Sequence, residues 1–470
     1  MWRTTLVIFI TLMTSISGMV LWQWKAYSKQ NVSIEDSGET VVQEITIKTD
    51  NNVLLITQKM SGLTPNKEYT TINPDRLLDW SCVKADGEDC ESADKNPSTF
   101  IPDNQEMQFT YKIALPKDNT SFLIHDWKTL LPEVRIIKTS IEISDKSKRV
   151  GSWVVGLPLK GFREMDLIDY YLFSGPADAP ALYWQAHSLN HLKVDNLDYY
   201  FEQPHEENAL PFDKELKSLQ DFPYVAVVLS DQFSGKSGDG IIFSPANSTD
   251  AEIKRQLMNY YFENKYHFEE KWLVDLFTSS TMKQPAITSR GKAVLIELSK
   301  KLSEEELETF FNLVAQTNEP MSLQKLDHTI KEIKGYSTRF FSLNKDESKP
   351  FISLYFYDER KVIISDKEKN EIEVMVENGK MLYPFIETIK ALGFELEILS
   401  DQETILLMKE NNRYRFYLNS NIFIYNEEDY GLLESPLTNI NGKIYMSKQW
   451  FEALFKVKFE EEEERIKLSL

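Results

Sequence analysis

Two histidines four residues apart, His187 and His191, have the spacing with which a helix presents two imidazoles to one zinc ion. A zinc hydrolase of this kind also needs a carboxylate beside the first histidine as general base, but Ser188 stands there. The flanking runs 181–186 and 197–201 are typical of extended chain, and residues four apart in a strand lie ~13 Å from each other. We therefore expect two structural histidines; an active zinc metallohydrolase that combines them with a carboxylate is the alternative.

A second candidate is the run Gly235-Lys236-Ser237, which has the residue types that end a phosphate-binding loop. The first glycine of that motif would be residue 230, which is a serine. The run leads into residues 240–243, a predicted strand, so no helix N-terminus would face a phosphate group. Nucleotide binding is therefore not expected.

The two cysteines, Cys82 and Cys90, enclose a polar segment that contains a glycine. In an exported protein such a pair would form a disulfide that closes a short loop, and two unpaired thiols are the alternative. Two cysteines without neighbouring histidines do not make a zinc site. This pair therefore has no expected role in metal binding.

The N-terminus predicts a membrane anchor. Residues 4–24 contain no charged side chain, and a helix of that length spans roughly 31 Å, enough for a hydrocarbon core of ~30 Å. Trp22 and Trp24 would lie in the interfacial region. A retained single-pass anchor at 1–24 is favoured because the apolar run continues past Ser17, and a signal peptide cleaved near Ser17 is the alternative. The flanking charges alone leave the orientation open, because Lys25 and Lys29 follow the run. Export is the commoner purpose of such an N-terminus, so we expect the bulk of the chain outside the cytoplasm.

Four further segments follow the anchor. A polar stalk at 25–40 precedes a region of alternating strands at 41–208, which predicts a β-sandwich domain. Helical periodicity dominates 209–345, where Ser303 and Glu306 have the spacing of a capping box. An extended connector at 346–370 leads to the last domain.

The C-terminal domain, 371–470, contains an internal repeat. The tripeptide Asn-Gly-Lys occurs at 378–380 and again at 441–443, each time followed by an apolar helix and two strands. Two copies of one unit predict a duplicated α+β domain. The fold class is thus α+β multidomain: membrane helix, β-sandwich, helical domain and duplicated α+β domain.

Residues 371–470 resemble the copper amine oxidase N-terminal-like domain of exported proteins of Gram-positive bacteria. The matching segments are 378–384 and Ala391-Leu392-Gly393, with a weaker second copy. The resemblance implies an extracytoplasmic binding or spacer module without the copper site of the oxidase. The sequence agrees, because this range contains no histidine.

The region before it resembles, more faintly, a zinc aminopeptidase of the gluzincin class, which places a β-sandwich before a thermolysin-like catalytic domain. The run 223–229 is similar to the first strand of that catalytic domain, and 256–262 stands where the zinc helix would be. The run 272–275 is similar to a Trp-Leu-x-Glu motif whose glutamate is a zinc ligand.

The sequence departs from that family at the positions of its zinc ligands and general base. Met258, Asn259 and Phe262 occupy the positions of the first histidine, the general base and the second histidine, and Asp275 replaces the glutamate ligand. Without both imidazoles the helix has no means of holding a metal and acidifying its water. The resemblance therefore implies a pseudo-metallopeptidase with no catalytic residue, no metal and no cofactor.

The net charge of the chain limits the classes of partner that it is expected to bind. The net charge of −20 repels phosphate backbones, so sequence-independent nucleic-acid binding is excluded. Together these features predict a membrane-anchored extracytoplasmic protein of the bacterial cell envelope that acts in binding or as a scaffold. Its ligand would be a peptide or an envelope polymer, and its membrane contact would be the N-terminal helix.

Overall fold

A computed structural model describes residues 39–84, 87–90, 98–116, 120–202, 216, 219, 221–233, 235–317 and 320–470. The predicted anchor at 1–24 and nearly all of the predicted stalk lie outside the described residues. Within the described ranges, no helix is long and apolar enough to cross a membrane. The chain forms two compact units, the first ending at Tyr260 and the second beginning at Tyr261.

Alternating apolar and polar residues build two sheets in the first unit, and their inward-facing side chains share one core. The seven-stranded sheet has the order β10-β11-β8-β1-β2-β6-β4, and a smaller sheet has the order β7-β12-β9. The strands of this region are β1 Thr40–Asp50, β2 Val53–Ser61, β3 Tyr69–Thr70, β4 Leu77–Lys84, β5 Thr99–Phe100, β6 Glu106–Ala114, β7 Ser121–Ile124, β8 Arg135–Asp145, β9 Ser152–Val155, β10 Leu159–Glu164, β11 Asp169–Gly175 and β12 Leu182–Gln185. The short strands β3 and β5 belong to neither sheet and pair with each other.

Cys82, near the end of β4, forms a disulfide with Cys90, and the two Cα atoms are 5.3 Å apart. Backbone hydrogen bonds hold the same short loop, since the amide of Cys90 donates to the carbonyl of Cys82 at 3.1 Å. The amide of Lys84 donates to the carbonyl of Glu88 at 2.8 Å. The covalent bond therefore joins segments that the backbone already pairs.

A third sheet of the first unit has the order β13-β14-β15-β17-β16. Its strands are β13 Asn190–Val194, β14 Leu197–Phe201, β15 Val225–Leu229, β16 Ser237–Gly238 and β17 Ile241–Ser244. The central strands β14, β15 and β17 run parallel and are buried along their whole length, as expected for strands covered on both faces. The predicted range 41–208 had placed β13 and β14 in the sandwich. They belong instead to the sheet of β15, because β14 pairs with both β13 and β15. The apolar pattern of a strand does not specify which sheet it joins.

Helices follow this sheet: α1 Asp250–Tyr266, α2 Lys271–Met282, α3 Ser289–Lys301, α4 Glu304–Gln316, α5 Leu323–Lys334 and α6 Phe340–Leu343. The predicted capping box is confirmed, because Ser303 accepts from the amide of Glu306 and Glu306 accepts from the amide of Ser303. Ser322 caps α5, which ends at Gly335 with φ of 72°. Local signals therefore fixed the ends of these helices.

The C-terminal part of the second unit shows the predicted duplication. The Asn-Gly pairs at 378–379 and 441–442 all have positive φ, as in a type I′ turn, and each pair joins two antiparallel strands. A helix follows each hairpin, and both copies share one core. Its elements are β18 Phe356–Asp358, β19 Lys361–Ile364, β20 Lys367–Glu368, β21 Val374–Glu377, β22 Lys380–Pro384, α7 Phe385–Ala391, β23 Glu395–Ile398, β24 Thr404–Lys409, β25 Asn412–Tyr417, β26 Ile422–Tyr425, β27 Glu428–Gly431, β28 Thr438–Ile440, β29 Lys443–Ser447, α8 Lys448–Phe455, β30 Lys458–Glu461 and β31 Arg465–Ser469.

Candidate functional site

The positions that the sequence assigned to a lost zinc site are built mainly from core residues. Met258 on α1 is fully buried, and Asn259 beside it is partly exposed. Phe262 is buried, with its ring centroid 6.0 Å from that of Tyr266 and 5.9 Å from that of Phe277. A thioether and a phenyl ring fill space and offer no imidazole nitrogen, so these side chains act in packing.

Asp275 on α2, which the sequence assigned to the place of a glutamate ligand, is engaged in hydrogen bonds. Its carboxylate accepts from the amide of Ile287 at 2.8 Å and from the amide of Thr288 at 2.7 Å. The hydroxyl of Thr288 donates to it at 2.7 Å, and the hydroxyl of Ser279 donates at 3.2 Å. The carboxylate is buried and holds the turn that leads into α3.

Gly291 on α3 makes this arrangement possible. A Cβ atom at this position would lie 2.6 Å from the hydroxyl oxygen of Thr288 and 3.0 Å from a carboxylate oxygen of Asp275. Thr288 is also the N-cap of α3, because its hydroxyl accepts from the amide of Gly291. The carboxylate, the cap and the glycine thus form one close-packed structural unit, which we call the Asp275 turn.

The histidine pair lies in the first unit, and its two members have different surroundings. Strand β12 ends at Gln185 and β13 begins at Asn190, so His187 lies in a bend and only His191 lies in a strand. The expectation of an extended chain through both histidines was therefore wrong for His187, because the chain turns between the two sheets.

Around His191 the structure builds a polar cluster that the sequence did not predict. Its Nε2 atom lies 2.9 Å from a carboxylate oxygen of Asp198, and its ring stacks on Tyr200 with centroids 4.9 Å apart. Asp198 is fully buried and also accepts from the hydroxyl of Tyr224 at 2.8 Å and from the amide of Leu159 at 3.3 Å. We call His191, Asp198, Tyr200 and Tyr224 the Asp198 cluster.

The electrostatics of the Asp198 cluster follow from burial and hydrogen bonding. Burial by itself raises the pKa of Asp198, but the hydrogen bonds from His191 and Tyr224 outweigh it and leave the pKa below its ordinary value. Burial raises the pKa of the Tyr224 hydroxyl well above its ordinary value, and the neighbouring Tyr200 and Asp198 add to that rise. Asp198 is therefore a carboxylate that stays charged although it is buried.

One missed signal in the sequence would have indicated part of this cluster. The short turn at 195–196 joins β13 to β14 and sets His191 opposite Tyr200 and Lys193 opposite Asp198. His191 and Asp198 therefore lie on diagonal positions of one hairpin, within reach of each other. Tyr224 comes from a separate segment, so its place in the cluster depends on the fold.

A cavity of about 280 Å³ lies at the carboxyl ends of β14 and β15. This edge of a parallel sheet is where α/β proteins commonly bind ligands. One of its carboxylates, Glu202, accepts from the side-chain amide of Gln185 at 3.1 Å, and the other, Asp231, accepts from the amide of Ala246 at 3.2 Å. The lining residues are Phe201, Glu202, Leu229, Ser230, Asp231, Gln232 and Ala246.

Metal-binding geometry is absent from the part of the chain that the structure describes. In those ranges no three side chains of histidine, cysteine, aspartate or glutamate are arranged so that they could hold one metal ion. The Asp198 cluster supplies one imidazole and one carboxylate. What it offers chemically is a buried carboxylate in hydrogen-bond contact with an imidazole and a tyrosine hydroxyl.

Comparison with protein families matches residues 363–470 to the copper amine oxidase N-terminal domain, which confirms the resemblance and begins it at 363 instead of 371. Among solved structures, the M1 zinc metallopeptidase from Deinococcus radiodurans aligns with a TM-score of 0.42 and 10% identity, over 63% of this chain and 90% of that one. A mutant of that enzyme bound to the substrate Tyr-Ser-Ala gives the same values. Curated protein sequences give no match.

Proposed function

We propose that this chain is a membrane-anchored, extracytoplasmic binding or scaffold protein of the bacterial cell envelope, with a peptidase-like body that does not hydrolyse peptides. The observation that carries the proposal is the Asp275 turn. The carboxylate in the place of a metal ligand accepts hydrogen bonds from two backbone amides and two hydroxyls.

One carboxylate oxygen of Asp275 accepts from the amides of Ile287 and Thr288 and from the Thr288 hydroxyl. A metal bound through that oxygen would displace these donors, at a cost of ~1–3 kcal/mol for each buried group left without its acceptor. Catalytic zinc sites use three protein ligands, and Met258 and Phe262 supply neither nitrogen nor oxygen. A peptide could therefore be bound by this body, but water could not be activated there.

The cavity at the ends of β14 and β15 supports a binding role. Glu202 and Asp231 give its lining a negative character, and Ser230 and Gln232 add neutral polar groups. This chemistry suits a ligand that carries amino and hydroxyl groups, as peptides and envelope polymers do. The C-terminal domain, which contains no histidine, would act as a second binding or spacer module.

The proposal is tested with the full chain purified in detergent and incubated with zinc. We expect no stoichiometric zinc after dialysis, and hydrolysis of a panel of aminoacyl and peptide substrates no faster than in buffer. Stoichiometric zinc together with substrate cleavage would overturn the proposal. Asp275→Asn is the matched variant, because an active site at this position would lose metal with that change.

The alternative is a zinc metallohydrolase with a site of unusual composition. The contact between His191 and Asp198 favours it, since ligating histidines commonly donate their second nitrogen to a carboxylate. This alternative predicts that His187→Ala and His191→Ala each abolish both zinc binding and hydrolysis. The proposed function predicts that neither variant differs from the parent chain in either assay.

A further inference from the structure

The hairpin formed by β10 and β11 exposes an unusual number of apolar side chains. Leu167 is 79% exposed, Phe162 53% and Met165 38%, and Val150 in the adjoining loop is 74% exposed. Single exposed apolar residues are ordinary on protein surfaces, but four in one hairpin and its neighbouring loop indicate an interaction surface. We call these four residues the hairpin tip.

The hairpin tip is held in place by Arg149. Its guanidinium donates to the carbonyl of Asp166 at 2.9 Å and to the carbonyl of Met165 at 2.6 Å, and its Nε donates to the carboxylate of Asp169 at 3.1 Å. Within the tip, the ring centroid of Phe162 lies 4.6 Å from that of Tyr171, which supports the exposed ring. The exposed apolar residues are therefore presented by a preformed structure, and little ordering would be needed on binding.

The charge around the hairpin tip differs from that of the whole molecule. Lys146, Lys160 and Arg163 are exposed beside it and Arg149 is partly exposed, whereas the chain as a whole carries −20. Glu164 and Asp166 are the exposed acidic side chains of the same turn. Basic side chains that flank exposed aromatic and aliphatic ones are the pattern of surfaces that enter the headgroup region of anionic bilayers.

We propose that the hairpin tip docks on a membrane surface that carries anionic lipid headgroups. The inference rests on the proposed location at the membrane, but it does not depend on the N-terminal anchor. Phe162, Met165 and Leu167 enter the headgroup boundary, and Lys160 and Arg163 pair with lipid phosphates. The anionic bilayer is chosen over a protein partner because exposed basic side chains outnumber exposed acidic ones here, whereas acidic residues predominate in the whole chain.

The length of the chain allows this contact. The turn of the hairpin lies at the Asp145 end of β8, whereas Thr40, where the described chain begins, pairs with Arg135 at the other end. These ends of β8 are roughly 33 Å apart at 3.3 Å per residue. Residues 25–39 could extend over about 50 Å, so an anchored chain is able to lay its hairpin on the same membrane.

The test measures the polarity of the surroundings of one labelled residue. In the full chain, Leu167→Cys is labelled with a polarity-sensitive fluorophore and mixed with vesicles of phosphatidylglycerol or of phosphatidylcholine. Ile137→Cys is the control, because Ile137 is 46% exposed at the opposite end of β8. We expect a blue shift and a gain in intensity at residue 167 with phosphatidylglycerol alone, and no change at residue 137.

Other outcomes overturn the proposal. An unchanged label at residue 167, or a shift there that is equal for both lipids, excludes docking on anionic headgroups. A shift at residue 137 instead of 167 shows that the other end of the sheet faces the membrane. These readings hold whether or not the N-terminal segment anchors the chain, because flotation of the unlabelled chain in high salt measures the anchor separately.

Charge reversal gives a second, independent reading. Lys160→Glu with Arg163→Glu should weaken vesicle partitioning of the labelled hairpin roughly thirtyfold or more at low salt, since each basic residue at a membrane surface contributes about fivefold. Arg135→Glu with Lys138→Glu changes the net charge equally at the other end of the sheet. Equal losses in the two double variants would contradict a specific role for the hairpin.

Discussion

Two buried carboxylates, Asp198 in the first unit and Asp275 in the second, perform different tasks because their partners differ. Asp198 accepts from the hydroxyl of Tyr224 and lies against the imidazole of His191. Asp275 accepts from backbone amides and from hydroxyls, none of which titrates near neutral pH. Asp275, which the sequence assigned to the place of a metal ligand, therefore has a structural role in the turn that leads into α3. Asp198 belongs to a polar cluster that family resemblance did not indicate.

The largest effect is expected from Asp275→Ala. It leaves the amides of Ile287 and Thr288 buried without an acceptor, so the unfolding free energy of the second unit should fall by about 4 kcal/mol. Denaturant unfolding followed by near-ultraviolet circular dichroism measures this change. A loss below about 1 kcal/mol would show that the turn does not depend on the carboxylate, and Asp275 would then have no structural role to set against that of Asp198.

Gly291→Ala tests the same turn by steric means. The added methyl group meets the Thr288 hydroxyl at 2.6 Å and Asp275 at 3.0 Å, so about 2 kcal/mol of unfolding free energy should be lost. Gly161→Ala is the matched control, because no atom lies within 4 Å of the added carbon. Equal stabilities of the two variants would contradict the close packing described for the Asp275 turn.

Asp198→Asn tests the charged state of the buried Asp198 through the pH dependence of the unfolding free energy. The pKa of Asp198 is lowered in the folded chain, so its contribution is present above the unfolded pKa and is lost as pH falls through the folded pKa. Below pH 4 the parent chain should therefore lose stability more steeply than the variant, which should cost about 1.5 kcal/mol at pH 7. Parallel acid-unfolding curves would be inconsistent with a charged Asp198.

The smallest effect is expected from Tyr224→Phe. It removes one hydrogen bond to Asp198, so the pKa of that carboxyl should rise toward its ordinary value and about 1 kcal/mol of stability should be lost. Carbon-detected NMR titration of Asp198 measures the pKa directly. Tyr199→Phe, a change in the neighbouring buried tyrosine of β14, is the control and should leave the titration of Asp198 unchanged.

Much of the local structure could be predicted from the sequence. The capping box at Ser303 depends on neighbouring residues and was found where the pattern placed it. The helix predicted after each Asn-Gly-Lys copy was found as well. The match of the C-terminal domain to its family was also predictable, because its motif is contiguous. Local signals of this kind do not need knowledge of the fold.

The candidate site was less predictable, for a physical reason. Asp198 acquires its character from Leu159 and Tyr224, which reach it from separate segments. Asp275 was identified as a replaced ligand, but its binding to residues 287–288 depends on how α2 and α3 pack. The membership of β13 and β14 in the sheet of β15 likewise depends on tertiary packing, since the apolar pattern of a strand does not specify the sheet that it joins.

The most direct test of the central claim, that the 287–288 turn occupies the Asp275 carboxylate, is amide hydrogen exchange with and without zinc. The full chain is compared at saturating zinc and in chelator, and protection is read at Ile287 and Thr288. We expect strong protection of both amides from exchange, with no change when zinc is added. Zinc-induced loss of protection at these two amides would show that the carboxylate turns to a metal, and would contradict its structural role in the turn.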